Sequence, residues 1–171
     1  MACSIMELKG LVNDCKGSKG GIQTVWIADY KAGEMADNGN GKINTKADNI
    51  VWNKYYVKPN SSSLNQTLTT APENGVSYVT AELTLVFSRM DTVKRMEMSA
   101  LTLSETMAVV KDSNGHYWCL GENEPVYASA GTGETGTNKG DGNKYTITLT
   151  NDSDTWIKEA SDELISSVEM V

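Results

Sequence analysis

From Val76 to Arg89 the chain reads Val-Ser-Tyr-Val-Thr-Ala-Glu-Leu-Thr-Leu-Val-Phe-Ser-Arg, and its residues alternate. Val79, Ala81, Leu83, Leu85 and Phe87 fall on one side; Tyr78, Thr80, Glu82, Thr84 and Ser88 fall on the other. Successive side chains of a strand point to opposite faces, so this stretch predicts one long strand with an apolar face and a polar face. At Asp91 the period changes. Val93, Met96, Ala100, Leu103 and Met107 recur at steps of three and four, with Lys94, Arg95 and Glu97 between them. That pattern predicts an amphipathic helix capped by Asp91 and laid on the sheet through its apolar stripe.

The flanking stretches supply the rest of a sheet. Ile22 to Tyr30 is β-branched and aromatic, and reads as a strand. Asp37-Asn-Gly-Asn-Gly is a turn, followed by strand character at 42–44 and 49–57. Pro59 to Thr70 is polar but β-permissive, which fits either an edge strand or an extended arm. Met107 to Lys111 and His116 to Leu120 form a tight hairpin about Asp112-Ser-Asn-Gly, and Val126 to Ser129 is a short strand. Lys144 to Thr150 alternates cleanly as a last strand, and Trp156, Ile157, Leu164, Ile165 and Val168 mark a short helix or a tail packed on a neighbour. Residues 131–143, glycine-rich and without an apolar anchor, predict a mobile loop. The class is mainly β: an antiparallel sandwich or barrel of seven to eight strands with one flanking helix. Residues 1–171 form a single domain with a flexible lead-in over 1–20 and an arm over 58–72.

Composition narrows the partners. The net charge is −7 with no lysine- or arginine-rich cluster, so specific nucleic-acid binding is not expected. An acidic surface instead suits a protein that DNA must pass without sticking. No run approaches the roughly 18 apolar residues that span a bilayer, and no membrane association is expected. The first nine residues lack a basic region followed by a long apolar one, so no secretory signal is expected either. Cys3, Cys15 and Cys119 form an odd set without a CxxC pair, as in a reducing cytoplasm, and Cys119 reads as a small core hydrophobe.

No constellation carries catalysis, cofactor or metal. Gly131-Thr-Gly-Glu-Thr-Gly matches a dinucleotide fingerprint by letter, but no helix can open in the Thr-Asn-Lys-Gly-Asp-Gly that follows. Aligning Gly41 with the invariant glycine of a calcium loop puts Ala36 and Ala47 at ligand positions. His116 is the only histidine and reads as a turn residue; Glu122, Glu124 and Asp141 read as solvated loop acids. Tyr55, Tyr56, Trp26, Trp52, Trp118 and Trp156 offer the alternative of a carbohydrate- or peptide-binding platform, or else core and subunit-contact positions. A strand of about 14 residues exceeds the usual 3–10. Its nearly neutral polar face suits a surface that meets other subunits or lines a wet lumen.

The element order carries a resemblance. Gly21-Ile-Gln-Thr-Val-Trp-Ile-Ala-Asp-Tyr comes first, then the polar arm from Ser61 to Thr70, and Asn74-Gly-Val-Ser-Tyr before the long strand. Met90-Asp-Thr-Val-Lys-Arg-Met-Glu opens the helix, and Val109-Val-Lys-Asp-Ser-Asn-Gly-His-Tyr-Trp-Cys-Leu-Gly follows. The glycine-rich loop and Asn143-Lys-Tyr-Thr-Ile-Thr-Leu complete the series. This resembles tail tube and tail ring proteins of bacteriophages that infect gut Bacteroidetes, the crAss-like group included. The resemblance implies a structural virion protein, made in the host cytoplasm and built into the tail, with no active site. It implies a homo-oligomeric ring, six- or twelve-fold, joined across subunits by its sheets and stacked into a channel for DNA. Other tail or connector proteins would be its neighbours. Tyr78, Thr80, Glu82, Thr84 and Ser88 would then belong to the ring wall or lumen strand, and Ser61, Leu64, Gln66 and Leu68 to an arm reaching the next subunit.

Overall fold

The computed structural model describes residues 10–12, 17–46 and 49–171. Cys3, Cys15 and Ala47 lie outside the described residues. The described chain folds as a β-sandwich with helices on its flanks, as the sequence predicts. It contains eleven strands where seven to eight were expected, because five of them are only three or four residues long. In order they are β1 (Ile22–Asp29), β2 (Met35–Asp37), β3 (Lys42–Thr45), β4 (Asn53–Tyr56), β5 (Ser63–Ala71) and β6 (Val76–Ser88). Helix α1 (Thr92–Leu103) leads into β7 (Thr106–Asp112), β8 (Tyr117–Leu120), β9 (Tyr127–Glu134), β10 (Lys144–Ser153) and β11 (Lys158–Ala160), and α2 (Asp162–Glu169) follows.

One sheet has seven strands in the order β2-β3-β11-β8-β7-β1-β4, and the other has four in the order β5-β6-β10-β9. All pairings are antiparallel except β11 with β3. The long strand β6 sits inside the smaller sheet and shows the alternation written in its sequence. Val79, Ala81, Leu83 and Leu85 are buried against the larger sheet, while Tyr78, Glu82 and Ser88 face out. The central strands β1 and β7 lack that alternation because both of their faces are covered. Val25, Ile27, Ala108 and Val110 join the core between the sheets. Trp26, Ala28, Met107 and Val109 join a second core under α2, where Leu164 and Val168 close it. The C-terminal apolar residues thus form a helix that packs on its own chain. Of the two readings of this stretch, the structure gives the short helix.

Turn chemistry fixes the hairpins as anticipated. Asp37 accepts from the backbone of Gly39 and Gly41 between β2 and β3. Asp112 accepts from Asn114 and His116 between β7 and β8, and also from the Trp118 indole at 3.1 Å. Of the lead-in, Lys19 is fastened by two hydrogen bonds to Asn114.

Helix α1 is capped by Asp91, which accepts from Lys94 N at 2.8 Å. Its rotation departs from the sequence pattern. Met98 and Leu101 face the core, whereas Val93, Met96, Ala100 and Leu103 point outward, and Met107 belongs to β7. Three residues join β6 to α1 and two join α1 to β7, so the strand ends dictate how the helix turns. Arg89 takes a positive φ of 68° at the first of these joints, and its N–H donates to Asn143 O. For a residue with a Cβ, that conformation is uncommon.

Gly121 has a φ of +101°, and a Cβ there would stand 2.8 Å from Met107 Cβ. Gly121→Ala is expected to lower stability by roughly 1–3 kcal/mol, read as an earlier urea midpoint, because neither backbone nor core can give way.

Candidate functional site

The four-stranded sheet is the candidate site, because its two rims and its outer face are left without partners among the described residues. β5 pairs with β6 along its whole length, Ser63 opposite Thr84 through Ala71 opposite Val76. Of the two readings of residues 58–72, the structure therefore gives an edge strand, entered by a turn in which Ser61 donates to Lys58 O at 2.6 Å. At the other rim β9 pairs with β10, Tyr127 opposite Thr150 through Glu134 opposite Lys144. Gly131 to Glu134, expected as the start of a mobile loop, completes this rim strand. Only residues 135–143 are loop, and there Asp141 accepts from the N–H groups of Thr137 and Asn138.

The outer face is built from register. Thr67 lies opposite Thr80, Thr84 opposite Thr148, and Thr146 lies between Val86 and Thr132. Thr80 donates to Asp152 at 2.7 Å, and the Tyr127 hydroxyl approaches the same carboxylate. Burial first, and that carboxylate second, raise the Tyr127 hydroxyl pKa above its ordinary value, which keeps it a neutral donor. Lys144 meets Glu134 at 3.6 Å. The face is thus rich in hydroxyls and carries Glu82, Glu134 and Asp152 against one lysine. Tyr78, Thr80, Glu82, Thr84 and Ser88 all lie on it.

The expected arm residues divide. Leu64 packs partly against the core, and Gln66 accepts from the backbone N–H of Ile157 at 3.0 Å. Leu68 stands opposite Val79 on the inward side of the sheet, yet it is exposed, because no described strand lies beyond β5 to cover it. Sequence reasoning gave only the start of the β9 rim, Val126 to Ser129, and left Gly131 to Glu134 to the loop, since glycine carries little strand signal. It also missed the outward turn of α1.

Helix α1 closes the flank below the β9 rim. At one end Met90 reaches Gly133; at the other Thr106 bridges Val126, just before β9. The Tyr55 hydroxyl of β4 donates to Glu97, and burial with this carboxylate raises its pKa. Between β4 and α1 runs a groove of about 410 Å³ lined by Trp52, Tyr55, Phe87, Val93 and Met98.

The other candidates are not gathered into a site. His116 lies 3.0 Å from Glu159 and its ring tilts against Trp118, which ties β8 to β11. Cys119 is buried, which pushes its thiol pKa up. Trp26 and Trp52 are buried with Nε1 unpartnered among the described residues, so the six aromatics do not share one surface. Gly131 and Gly133 are strand residues and no helix opens after Gly136. Among the described residues no group of three His, Cys, Asp or Glu side chains could hold a metal. No family model matches the chain, and no curated protein matches it.

Several carboxylates stabilise turns and contacts in their charged form. Burial raises Asp112, but hydrogen bonds from Trp118, His116 and Asn114 outweigh it and hold the group below its ordinary value of 3.8. The Tyr117 hydroxyl and then Lys111 hold Glu169 low, and the N–H groups of Asn138 and Thr137 do so for Asp141. A lowered folded pKa means stability that is present above the unfolded value and lost as pH falls through the folded one. The urea midpoint is expected to hold steady near neutrality and to fall below pH 3.8. Asp112→Asn should flatten that fall.

Proposed function

We propose that this chain is a structural virion protein, the repeating subunit of a homo-oligomeric ring or stacked tube in a phage tail, through which DNA passes. The observation that carries this reading is the pair of open rims on the smaller sheet. β5, β6, β10 and β9 alternate in direction, so β5 of one copy added beside β9 of the next is antiparallel, and the sheet continues without a break in polarity. The rims also match in length, nine residues against eight.

Open rims are a hazard for a chain that stays alone, and proteins blunt them with short strands, charges or prolines. Neither rim here is blunted that way: Ser63 to Ala71 and Tyr127 to Glu134 hold one charged residue, Glu134. Head-to-tail addition uses both rims of every copy and closes into a ring when the rotation allows. Two-fold pairing of β5 with β5 would leave the β9 rims open. With the sheet closed about an axis, the threonine-rich face lines the passage. Its carboxylates repel the DNA backbone, and its hydroxyls offer no cationic grip.

Sedimentation velocity and negative-stain microscopy test this reading. Rings of uniform diameter are expected, and a strictly monomeric 18.5 kDa species at high concentration would overturn it. The wild-type assembly should leave duplex DNA unshifted in a gel. Glu82→Lys with Thr84→Lys should retard DNA in a salt-dependent way, since these substitutions convert the lining into a phosphate-binding strip.

A further inference from the structure

The structure contains an apolar stripe that no described residue covers. On α1, Val93 is 77% exposed, Met96 61% and Leu103 88%, and Ala100 lies open between them. Their spacing of three, four and three places them along one side of the helix, away from Met98 and Leu101, with Val93 at the edge that borders the groove toward β4. Apolar residues scattered singly over a surface need no explanation, but a contiguous row does.

The position of the row says what covers it. α1 runs along the β9 rim from Gly133 to Val126, on the core side of the smaller sheet. A strand added to β9 from outside sets alternate side chains on that same side, and these come down on the outward face of α1. On β5, Leu64, Gln66 and Leu68 point to the core side, opposite Leu83, Ala81 and Val79. Leu68 is 48% exposed. Trp156, 53% exposed, stands beside Ile157, whose N–H is held by Gln66. Each flank of the sandwich therefore carries one open rim with unburied apolar side chains below it.

We infer that the Val93, Met96, Ala100 and Leu103 stripe is the seat for Leu68 and Trp156 of a second copy, whose β5 adds to β9. The inference rests on the ring reading and names the contact that makes the ring specific. A strand rim alone is a narrow strip, and backbone pairing tolerates slippage by two residues without turning a side chain to the wrong face. Specific interfaces bury roughly 1,200–2,000 Å² in total and concentrate their energy in a few large apolar or aromatic anchors. The helix stripe supplies that second layer, and Leu68 set into it fixes the register.

Two measurements decide the matter. In a Cys3→Ser, Cys15→Ser background, Leu68→Cys combined with Ala100→Cys should give, on mild oxidation, a ladder of covalent oligomers on denaturing gels. Neither single cysteine should give one. Separately, Met96→Ser with Leu103→Ser should leave the thermal midpoint of the monomer nearly unchanged, because both side chains are already exposed. It should raise the concentration needed for assembly by at least about tenfold.

Rings that form without the ladder, and that tolerate the serine variants, would overturn the inference and leave the ring reading standing. A wild-type chain that never assembles removes the ring reading itself. A crosslink within one chain from the double-cysteine variant also overturns the inference. So does a crosslink between Ala100→Cys and native Cys3 in the otherwise unaltered chain, which would make the N-terminal segment the occupant of the stripe.

Discussion

A sheet needs a hydrogen-bond partner for every backbone group it keeps from water, and this requirement organises the molecule. The larger sheet meets it by breadth. Seven strands, a helix on one face and a second sheet on the other leave its central strands enclosed, and its own rims are strands of only three and four residues. The smaller sheet does not meet it alone. Among the described residues both of its long border strands leave N–H and C=O groups unpaired along their outer edges, while its inner face is firmly packed through Leu83, Leu85, Ile147 and Leu149. The result is a rigid platform with two reactive margins, and the proposed ring follows from satisfying them together.

Much of this architecture is legible in the residues. The period-two pattern of β6 identifies its buried face because one side of that strand meets the core and the other meets solvent. Asp91, Asp37 and Asp112 announce a helix cap and two turns through local chemistry that tertiary contacts do not override. What depends on distant neighbours is less legible. Lys158 to Ala160 carries no strand signal, yet it forms the bridge between β3 and β8, where Lys158 binds Asp37 and Glu122. Gly131 and Gly133 look like loop, but Gly133 leaves room for the Tyr145 ring and Met90, so the strand continues through it.

The orientation of α1 shows the limit of reading a helix by its stripe. Two apolar faces compete along that helix, one through Met98 and Leu101, the other through Val93, Met96, Ala100 and Leu103. The second has the stronger sequence pattern. The short joints at Arg89 and Ser104 give the core to the first, and no local residue encodes that choice. In the same way the arm expected at 58–72 and the strand observed there differ only in whether a partner lies alongside, and Leu68 keeps features of both.

Three of the four tryptophans fall into two optical populations, and Trp118, half-buried with its indole N–H on Asp112, lies between them. Trp26 and Trp52 are buried in the core beneath α2, Trp26 stacked on Tyr117 at 5.9 Å, so their emission belongs at the short-wavelength end. Trp156 is wet in the isolated chain and sits on a flank. The colour of the native fluorescence therefore separates the integrity of the interior from the state of that flank, and the chain carries its own pair of reporters without a dye.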